Sequence, residues 1–169
     1  MPVSSFVDPH SRFVITLCVG EVTLAEGVSS CSVIRNHPGF HPDFRQLVDL
    51  SMATNISLRF PDLYHLHQEC DPFSNQARRA IVAIDAVPFG LGRMYQLITN
   101  SPNLEVFRTL QEALDWLDCK GSVLESVIRE LLAKKRAVLT AESSNSSSAS
   151  SPSTDLGAFL NRLKAASSA

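Results

Sequence analysis

The chain contains 169 residues, which allows one compact domain with additional segments, because domains usually contain ~100–150 residues. Hydrophobic residues make up 44% of the sequence and charged residues 19%, a globular composition that excludes wholesale disorder. The net charge of −2 lacks the basic excess with which nucleic-acid-binding proteins hold phosphates, so nucleic acid is not expected as a partner.

The cysteines and the N-terminus predict the cellular compartment. The four cysteines contain no CxxC pair and lie in segments patterned as helix or strand, so we expect reduced, buried thiols. Residues 1–11 have neither the basic start nor the apolar run of a signal peptide, and the apolar stretch 13–19 is too short to cross a bilayer. We expect a cytoplasmic protein with no transmembrane segment, no metal and no cofactor.

Strand and helix patterns alternate along the first two thirds of the chain. Asp8-Pro9 separates two β-branched runs and predicts an antiparallel hairpin, and Thr23 with Glu26 has the spacing of a helix-starting capping box. The predicted strands cover 3–7, 13–19, 46–51, 80–84 and 104–107, and the predicted helices cover 23–35, 60–70, 89–98 and 110–117. This order predicts an α/β fold, with a mostly parallel sheet, an antiparallel edge strand and about four covering helices.

The composition changes after the predicted domain, residues 1–119. Residues 120–142 have apolar side chains at helical spacing and predict an amphipathic helical extension. We expect this helix to pack on its own domain or on a second copy of the chain in preference to a membrane or an acidic partner, although residues 134–136 are basic. Residues 143–154 are a Ser-rich linker, and residues 155–169 form either a docking helix or a tail with weak helicity.

Six short motifs of the chain are similar to those of a known group. They are Gly20-x-Val22-Thr23, Pro38-Gly39-Phe40-x-Pro42-x-Phe44, Leu47-Val48-Asp49-Leu50, Arg79-Ala80-Ile81-Val82, Phe89-Gly90-Leu91-Gly92-Arg93-Met94-Tyr95 and Val106-Phe107-Arg108-x4-Ala113-x2-Trp116-Leu117. With these motifs, residues 3–117 resemble the SpoIIAA-like group, which has the fold of STAS domains, a superfamily that includes the anti-sigma factor antagonists. The resemblance implies a STAS-like fold and a regulatory role.

The resemblance also directs attention to serines near the third predicted strand. In anti-sigma factor antagonists, a serine in an Asp-Ser-Ser-Gly-like motif opens the second helix and is phosphorylated to switch partner binding. Here Ser57 lies near the corresponding turn, and Ser51 at the end of the preceding predicted strand is a second candidate, but the aspartate, the paired hydroxyls and the glycine of that motif are missing. We therefore expect a module without the phosphoserine switch.

Four other residues are candidates for a ligand or partner site. Gly90 and Gly92 interrupt the segment before Arg93, so this turn either binds an anion at a helix N-terminus or allows close packing, and we favour packing. Asp49 interrupts an apolar strand, which predicts a buried carboxylate that is hydrogen-bonded or paired with an arginine such as Arg79 or Arg93. No nucleophile or metal-ligand motif accompanies these residues.

These observations predict a non-enzymatic regulatory or protein-binding module. Its partner, a second copy of the chain included, would contact the helices that follow strands two to four. The alternative is a carrier of a small apolar or anionic ligand, because SpoIIAA-like domains share features with the CRAL-TRIO lipid-binding fold. In that case an apolar cavity would lie between the sheet and the helices over 60–70 and 89–98. An enzyme that uses Asp49 and Arg93 is the least favoured interpretation.

Overall fold

The computed structural model describes residues 3–145. The chain divides into two compact units, Met1–Arg136 and Ala137–Ala169. The first unit contains the whole sheet and most of the helices, and the second contains the end of the last helix. The predicted tail at 155–169 and all but the first residues of the predicted Ser-rich linker lie outside the described residues. The predicted division at residue 119 stays a prediction.

A five-stranded mixed sheet forms the centre of the first unit. The strands are β1 (Val3–Asp8), β2 (Phe13–Val22), β3 (Arg45–Ile56), β4 (Arg79–Val82) and β5 (Leu104–Phe107), in the spatial order β1-β2-β3-β4-β5. β1 pairs antiparallel with β2, and the other pairs are parallel. The predicted α/β architecture with an antiparallel edge strand is confirmed.

Five helices connect and follow the strands. They are α1 (Leu24–Arg35), α2 (Phe60–His65), which continues into a π-helical turn (Leu66–Cys70), α3 (Ala86–Thr99), α4 (Leu110–Trp116) and α5 (Gly121–Asn145). The capping box at the start of α1 is confirmed, because the backbone N–H of Thr23 donates to Glu26 Oε2 at 3.0 Å. Among residues 3–145, none of the helices is long and apolar enough to span a membrane.

The order of the strands determines which helices cover each face of the sheet. β2 to β5 follow one another in a single direction, and right-handed crossovers between such strands place their helices on the same face. Accordingly α1 and α3 pack on one face, where Ile34 shares an apolar cluster with Val14, and Phe89 packs against the cluster that contains Ile81. The opposite face is left for α4 and α5.

α5 covers part of the main hydrophobic core. Val127 and Leu131 of this helix are buried in the same cluster as Phe13 and Leu47 of the sheet and Leu114 of α4. The expectation that the amphipathic extension packs on its own domain therefore agrees with the structure up to Arg136. The alternation of side chains along β2 and β3 explains the arrangement, since residues two apart point to the same face.

Several element boundaries differ from those that the sequence predicts, and two of the differences are informative. β3 runs to Ile56 instead of residue 51, because β2 also continues past Gly20 and provides pairing partners as far as Val22↔Ile56. α3 begins at Ala86 instead of residue 89. This earlier start changes the interpretation of the two glycines that follow.

Candidate functional site

Asp49 forms a buried ion pair with the C-terminal helix. The residue is 1% exposed in β3, and its Oδ2 lies 2.7 Å from Lys135 Nζ of α5. Lys135 also donates to Ser51 Oγ at 2.9 Å, and the Ser51 backbone N–H donates to Asp49 Oδ1 at 2.8 Å. Asp49 is thus paired, as expected for a buried carboxylate, but its partner is Lys135. Neither Arg79 nor Arg93 reaches it, because each arginine pairs with another carboxylate.

Ser57 lies beyond the end of β3, away from the Asp49 pair. Its hydroxyl donates to Glu21 Oε1 at 2.8 Å, and its backbone N–H donates to the carbonyl of Val22 at 2.9 Å. The two candidate serines therefore have different surroundings, Ser51 beside a lysine and Ser57 beside a glutamate. The structure does not bring them together with Arg93 or the glycines of α3.

The glycines of α3 lie inside the helix. The backbone N–H of Phe89 already donates to the carbonyl of Asp85 at 3.1 Å, so the amides of Gly90 and Gly92 follow the first helical hydrogen bond and do not form the open N-terminus that an anion needs. Gly92 allows close packing, because a Cβ there would lie 3.1 Å from Val106 Cγ1. A Cβ at Gly90 would meet nothing within 4 Å. Arg93 forms an exposed ion pair of 2.8 Å with Glu105.

An apolar cavity of about 160 Å³ lies between the sheet and the helices α1, α2 and α3. Its walls include Leu50 of β3, Leu63 of α2, Leu66 of the π-helical turn and Leu91 of α3. This position is the one expected for the ligand-carrier alternative, between the sheet and the helices over 60–70 and 89–98. For comparison, an engineered cavity of ~150 Å³ in another protein is large enough to bind benzene.

A buried polar cluster borders one end of this cavity. Arg79 donates from Nε to Gln46 Oε1 at 2.9 Å and from Nη1 to Asp71 Oδ2 at 2.6 Å. Tyr95 also donates to Asp71 Oδ2, at 2.8 Å, and Gln46 Nε2 donates to Thr16 Oγ1 at 3.2 Å. All five residues line the cavity. The cluster thus places a neutralised ion pair and several hydrogen-bonding groups beside an apolar space.

Burial and the ion pair shift the pKa values of this cluster. Burial raises the pKa of the Tyr95 hydroxyl, and the Asp71 carboxylate adds to the rise. Burial acts to lower the pKa of Arg79, but the attraction of Asp71 outweighs it and the pKa is raised. Tyr95 is therefore neutral and Arg79 charged at physiological pH, so the Arg79–Asp71 pair and the phenol together carry no net charge.

Two cysteines line the cavity as thiols. Burial raises the pKa of Cys18 to about 12 and that of Cys31 to about 11. All four cysteines lie within the described residues and are free there; Cys18, Cys70 and Cys119 are buried, and Cys31 is partly buried. Within residues 3–145, no group of three or more His, Cys, Asp or Glu side chains is arranged to hold a metal ion.

The outer face of α3 carries exposed apolar side chains. Val87, Met94 and Leu97 are exposed and, together with Gly90, occupy one side of the helix because they are three or four residues apart. We call these four residues the α3 stripe. α2 adds the exposed pair Phe60 and Tyr64, whose rings stack with centroids 6.4 Å apart.

The exposed apolar residues are concentrated in one layer of the molecule. In the part of the chain that the structure describes, the exposed large apolar side chains lie on α1, α2 and α3, except Ile84 directly before α3 and Leu139 on α5. The same helices line the cavity, which is partly open to solvent. This layer combines an outer apolar surface with an inner apolar space, an arrangement suited to binding.

No sequence pattern pointed to the cluster of Gln46, Asp71, Arg79 and Tyr95. Gln46 and Arg79 pair side by side in neighbouring strands, and each is a polar residue at the start of an apolar run. Two polar residues at the same register of adjacent parallel strands would have indicated a polar end to the covered face. Asp71 follows the π-helical turn, and no periodic pattern placed it near Arg79.

No protein-family model matches the chain, and no curated protein matches it. Several solved structures are similar to this chain, and they include the following three. A DUF3478-family protein with a SpoIIAA-like fold from Shewanella loihica PV-4 is 18% identical and has a TM-score of 0.46, with 68% of this chain and 91% of that chain covered. An anti-sigma factor antagonist from Mycobacterium paratuberculosis is 16% identical, with a TM-score of 0.47 and coverage of 69% and 94%.

The third structure is the anti-sigma factor antagonist SpoIIAA in its unphosphorylated form, which is 10% identical, has a TM-score of 0.37 and covers 67% of this chain and 94% of its own. The three structures are similar to this chain at TM-scores below 0.5. The α/β architecture of the chain follows from its own strands and helices.

Proposed function

We propose that this protein is a non-enzymatic regulatory module that binds a protein partner through the outer face of α2 and α3. The observation that carries the proposal is the α3 stripe. α3 presents Phe89 and Tyr95 to the sheet and Val87, Met94 and Leu97 to solvent, so it is apolar on both faces. Helices of this kind are usually covered on both sides, and exposed apolar patches mark interaction sites.

The proposed module works without a phosphoserine switch. Ser57 donates to the Glu21 carboxylate, and a phosphate added there would be repelled by the negative charge beside it. Ser51 contributes to the Asp49–Lys135 cluster in the layer opposite α3. Neither serine belongs to the α3 stripe, so we expect partner binding to be independent of phosphorylation at these positions.

The test compares partner capture by the wild-type chain and by Leu97→Asp. Leu97 is 78% exposed, so the substitution places a charge in the stripe and leaves the core intact. We expect a specific partner protein, captured from a lysate of the source cells, to be lost with this variant. Gln111→Asp, which places the same side chain at an exposed position of α4, is the matched control and should capture the partner normally.

Equal capture by both variants would contradict a contact through α3. Cleavage or turnover of a substrate by the purified chain would contradict the non-enzymatic part of the proposal. Sedimentation of both variants distinguishes a second copy of the chain from a different partner, because self-association would then be lost in Leu97→Asp alone.

A second candidate function is the carriage of a small ligand, and the cavity of about 160 Å³ under α2 and α3 favours it. Native mass spectrometry of freshly purified protein tests this function. A retained small molecule that disappears on denaturation is the expected result. Protein that carries no small molecule and acquires none from a lipid and metabolite extract would contradict carriage.

A further inference from the structure

The middle of the sheet has an unusual gap on its helix-covered side. Val48 lies in β3 between β2 and β4, a position where side chains are normally buried, yet Val48 and Leu50 are only partly buried. Both residues line the cavity. The helices α1, α2 and α3 therefore leave apolar surface of the central strand open, and filling this space would remove that surface from water.

The cavity has one polar end and one apolar end. Gln46 and Arg79 lie side by side near the beginning of the parallel strands, and Val48 and Ile81 form the next row toward the strand ends. Farther along, the lining includes only apolar side chains from the strand ends and α2, namely Val22, Ile56, Leu58 and Leu63. A molecule that fits this space has an apolar body and one hydrogen-bonding end.

The charge of the polar end selects the kind of head group. Arg79 is already neutralised by Asp71 at 2.6 Å, and these side chains are only 11% and 6% exposed. An ionised head group would add an uncompensated charge to a buried site, which is strongly unfavourable. A hydroxyl adds no charge, and it can donate to the Tyr95 oxygen and accept from the guanidinium of Arg79.

From this geometry we infer that the cavity is a binding site for a small, neutral, apolar molecule with a hydroxyl head group, which lies against Tyr95 and Arg79. This inference rests on the second candidate function, ligand carriage, and adds the chemical class and the orientation of the ligand. The apolar body lies along Val48 and Leu50 and points toward the ends of the strands.

The test uses 1-octanol and octanoate as matched probes of the full-length chain. The two molecules have similar apolar bodies and differ in the charge of the head group at pH 8. We measure the shift in unfolding temperature against probe concentration, because a ligand of the folded state stabilises it by mass action. 1-Octanol should raise the unfolding temperature, and octanoate should bind at least ~10-fold more weakly, since its charge is not compensated.

Substitutions locate the site. Val48→Phe fills the cavity and should abolish the response to 1-octanol, and Cys31→Leu provides a second filling variant from the helix side if Val48→Phe does not fold. Val33→Phe makes the same chemical change at an exposed position of α1 and should respond like the wild type. Tyr95→Phe keeps the ring and removes the hydroxyl, so it should weaken 1-octanol binding by about 2- to 10-fold.

The possible failures have different meanings. Octanoate binding as tight as 1-octanol binding would overturn the inference about the head group and leave carriage intact. An undiminished 1-octanol response in a folded filling variant would overturn the location of the site. No response to either probe would overturn this inference, and native mass spectrometry decides carriage separately.

Discussion

Two lysine–aspartate pairs of this chain have the same nitrogen–oxygen distance and different surroundings. Lys135–Asp49 and Lys120–Asp118 are both 2.7 Å apart. The side chains of the first pair are 18% and 1% exposed, whereas those of the second are 84% and 61% exposed. Removing one partner of a buried pair leaves the other charge without solvent or counter-ion. Burial, and not the distance between the charges, therefore determines how much each lysine contributes to the free energy of unfolding.

We therefore expect Lys135→Ala to lower the free energy of unfolding by about 3–5 kcal/mol, because it leaves the Asp49 carboxylate buried and unpaired. Lys120→Ala, the matched control, should change it little. Urea unfolding followed by circular dichroism measures both variants. Equal losses in the two variants would contradict the assignment of Lys135–Asp49 as an anchor of α5.

The thiol of Cys31 provides a prediction about pH. Its pKa is raised to about 11 by burial, above the ordinary thiol value of 9.0. At pH 8 the folded protein should hold about 100-fold less thiolate at this position than an unfolded chain, and alkylation should be slower by a similar factor. The pKa of the thiol is higher in the folded state than in the unfolded state. Its contribution to the free energy of unfolding is therefore fully present below pH 9 and is lost as the pH rises toward 11.

Mass-spectrometric mapping of iodoacetamide labelling at pH 8, in the folded and the urea-unfolded protein, measures this difference. Labelling of Cys31 at equal rates in both states would contradict its burial in the cavity wall.

The surroundings of Asp49 were predictable from the sequence only in part. A carboxylate in an apolar strand predicts a buried, satisfied group, and that expectation agrees with the structure. The partner of Asp49 could not be predicted in the same way. Lys135 lies 84 residues after the neighbouring Ser51, on a helix whose position depends on the whole fold. Ion-pair partners distant in sequence leave no local pattern.

Two helices of the chain carry apolar residues with opposite roles. Leu131 of α5 is 1% exposed in the main core, and Leu97 of α3 is 78% exposed in the α3 stripe. Helical spacing alone cannot separate these cases, because it identifies an apolar side of a helix and not what covers that side. The sequence predicted both helices, but only the tertiary structure shows which apolar side is buried.

Truncation of each leucine separates the two roles. Leu131→Ala should lower the free energy of unfolding by about 2–5 kcal/mol, because it creates a cavity in the core. Leu97→Ala should leave stability nearly unchanged and weaken partner binding. Thermal unfolding combined with the capture experiment measures both effects. A large stability loss in Leu97→Ala would show that the α3 stripe packs within the chain.

The topology of the molecule was largely predictable from the sequence. Alternating strand and helix patterns give a parallel sheet, and right-handed crossovers place α1 and α3 on one face. The sequence predicted a cavity only for the case that the protein is a ligand carrier. Whether a cavity exists depends on how side chains such as Val48 and Leu91 fit together, which a sequence pattern does not show. α4 and the first part of α5 cover the opposite face, so one side of the sheet is a packed core and the other is the side where we propose binding.

Site-specific photo-crosslinking in the source cells tests the binding layer most directly. A photoreactive amino acid is placed at position 97 on the α3 stripe, or at position 111, an exposed position of α4, as a control. Illumination should produce a covalent adduct of discrete mass at position 97 and none at position 111. An adduct at position 111 alone, or at neither position when the partner is abundant, would contradict a partner surface on α3.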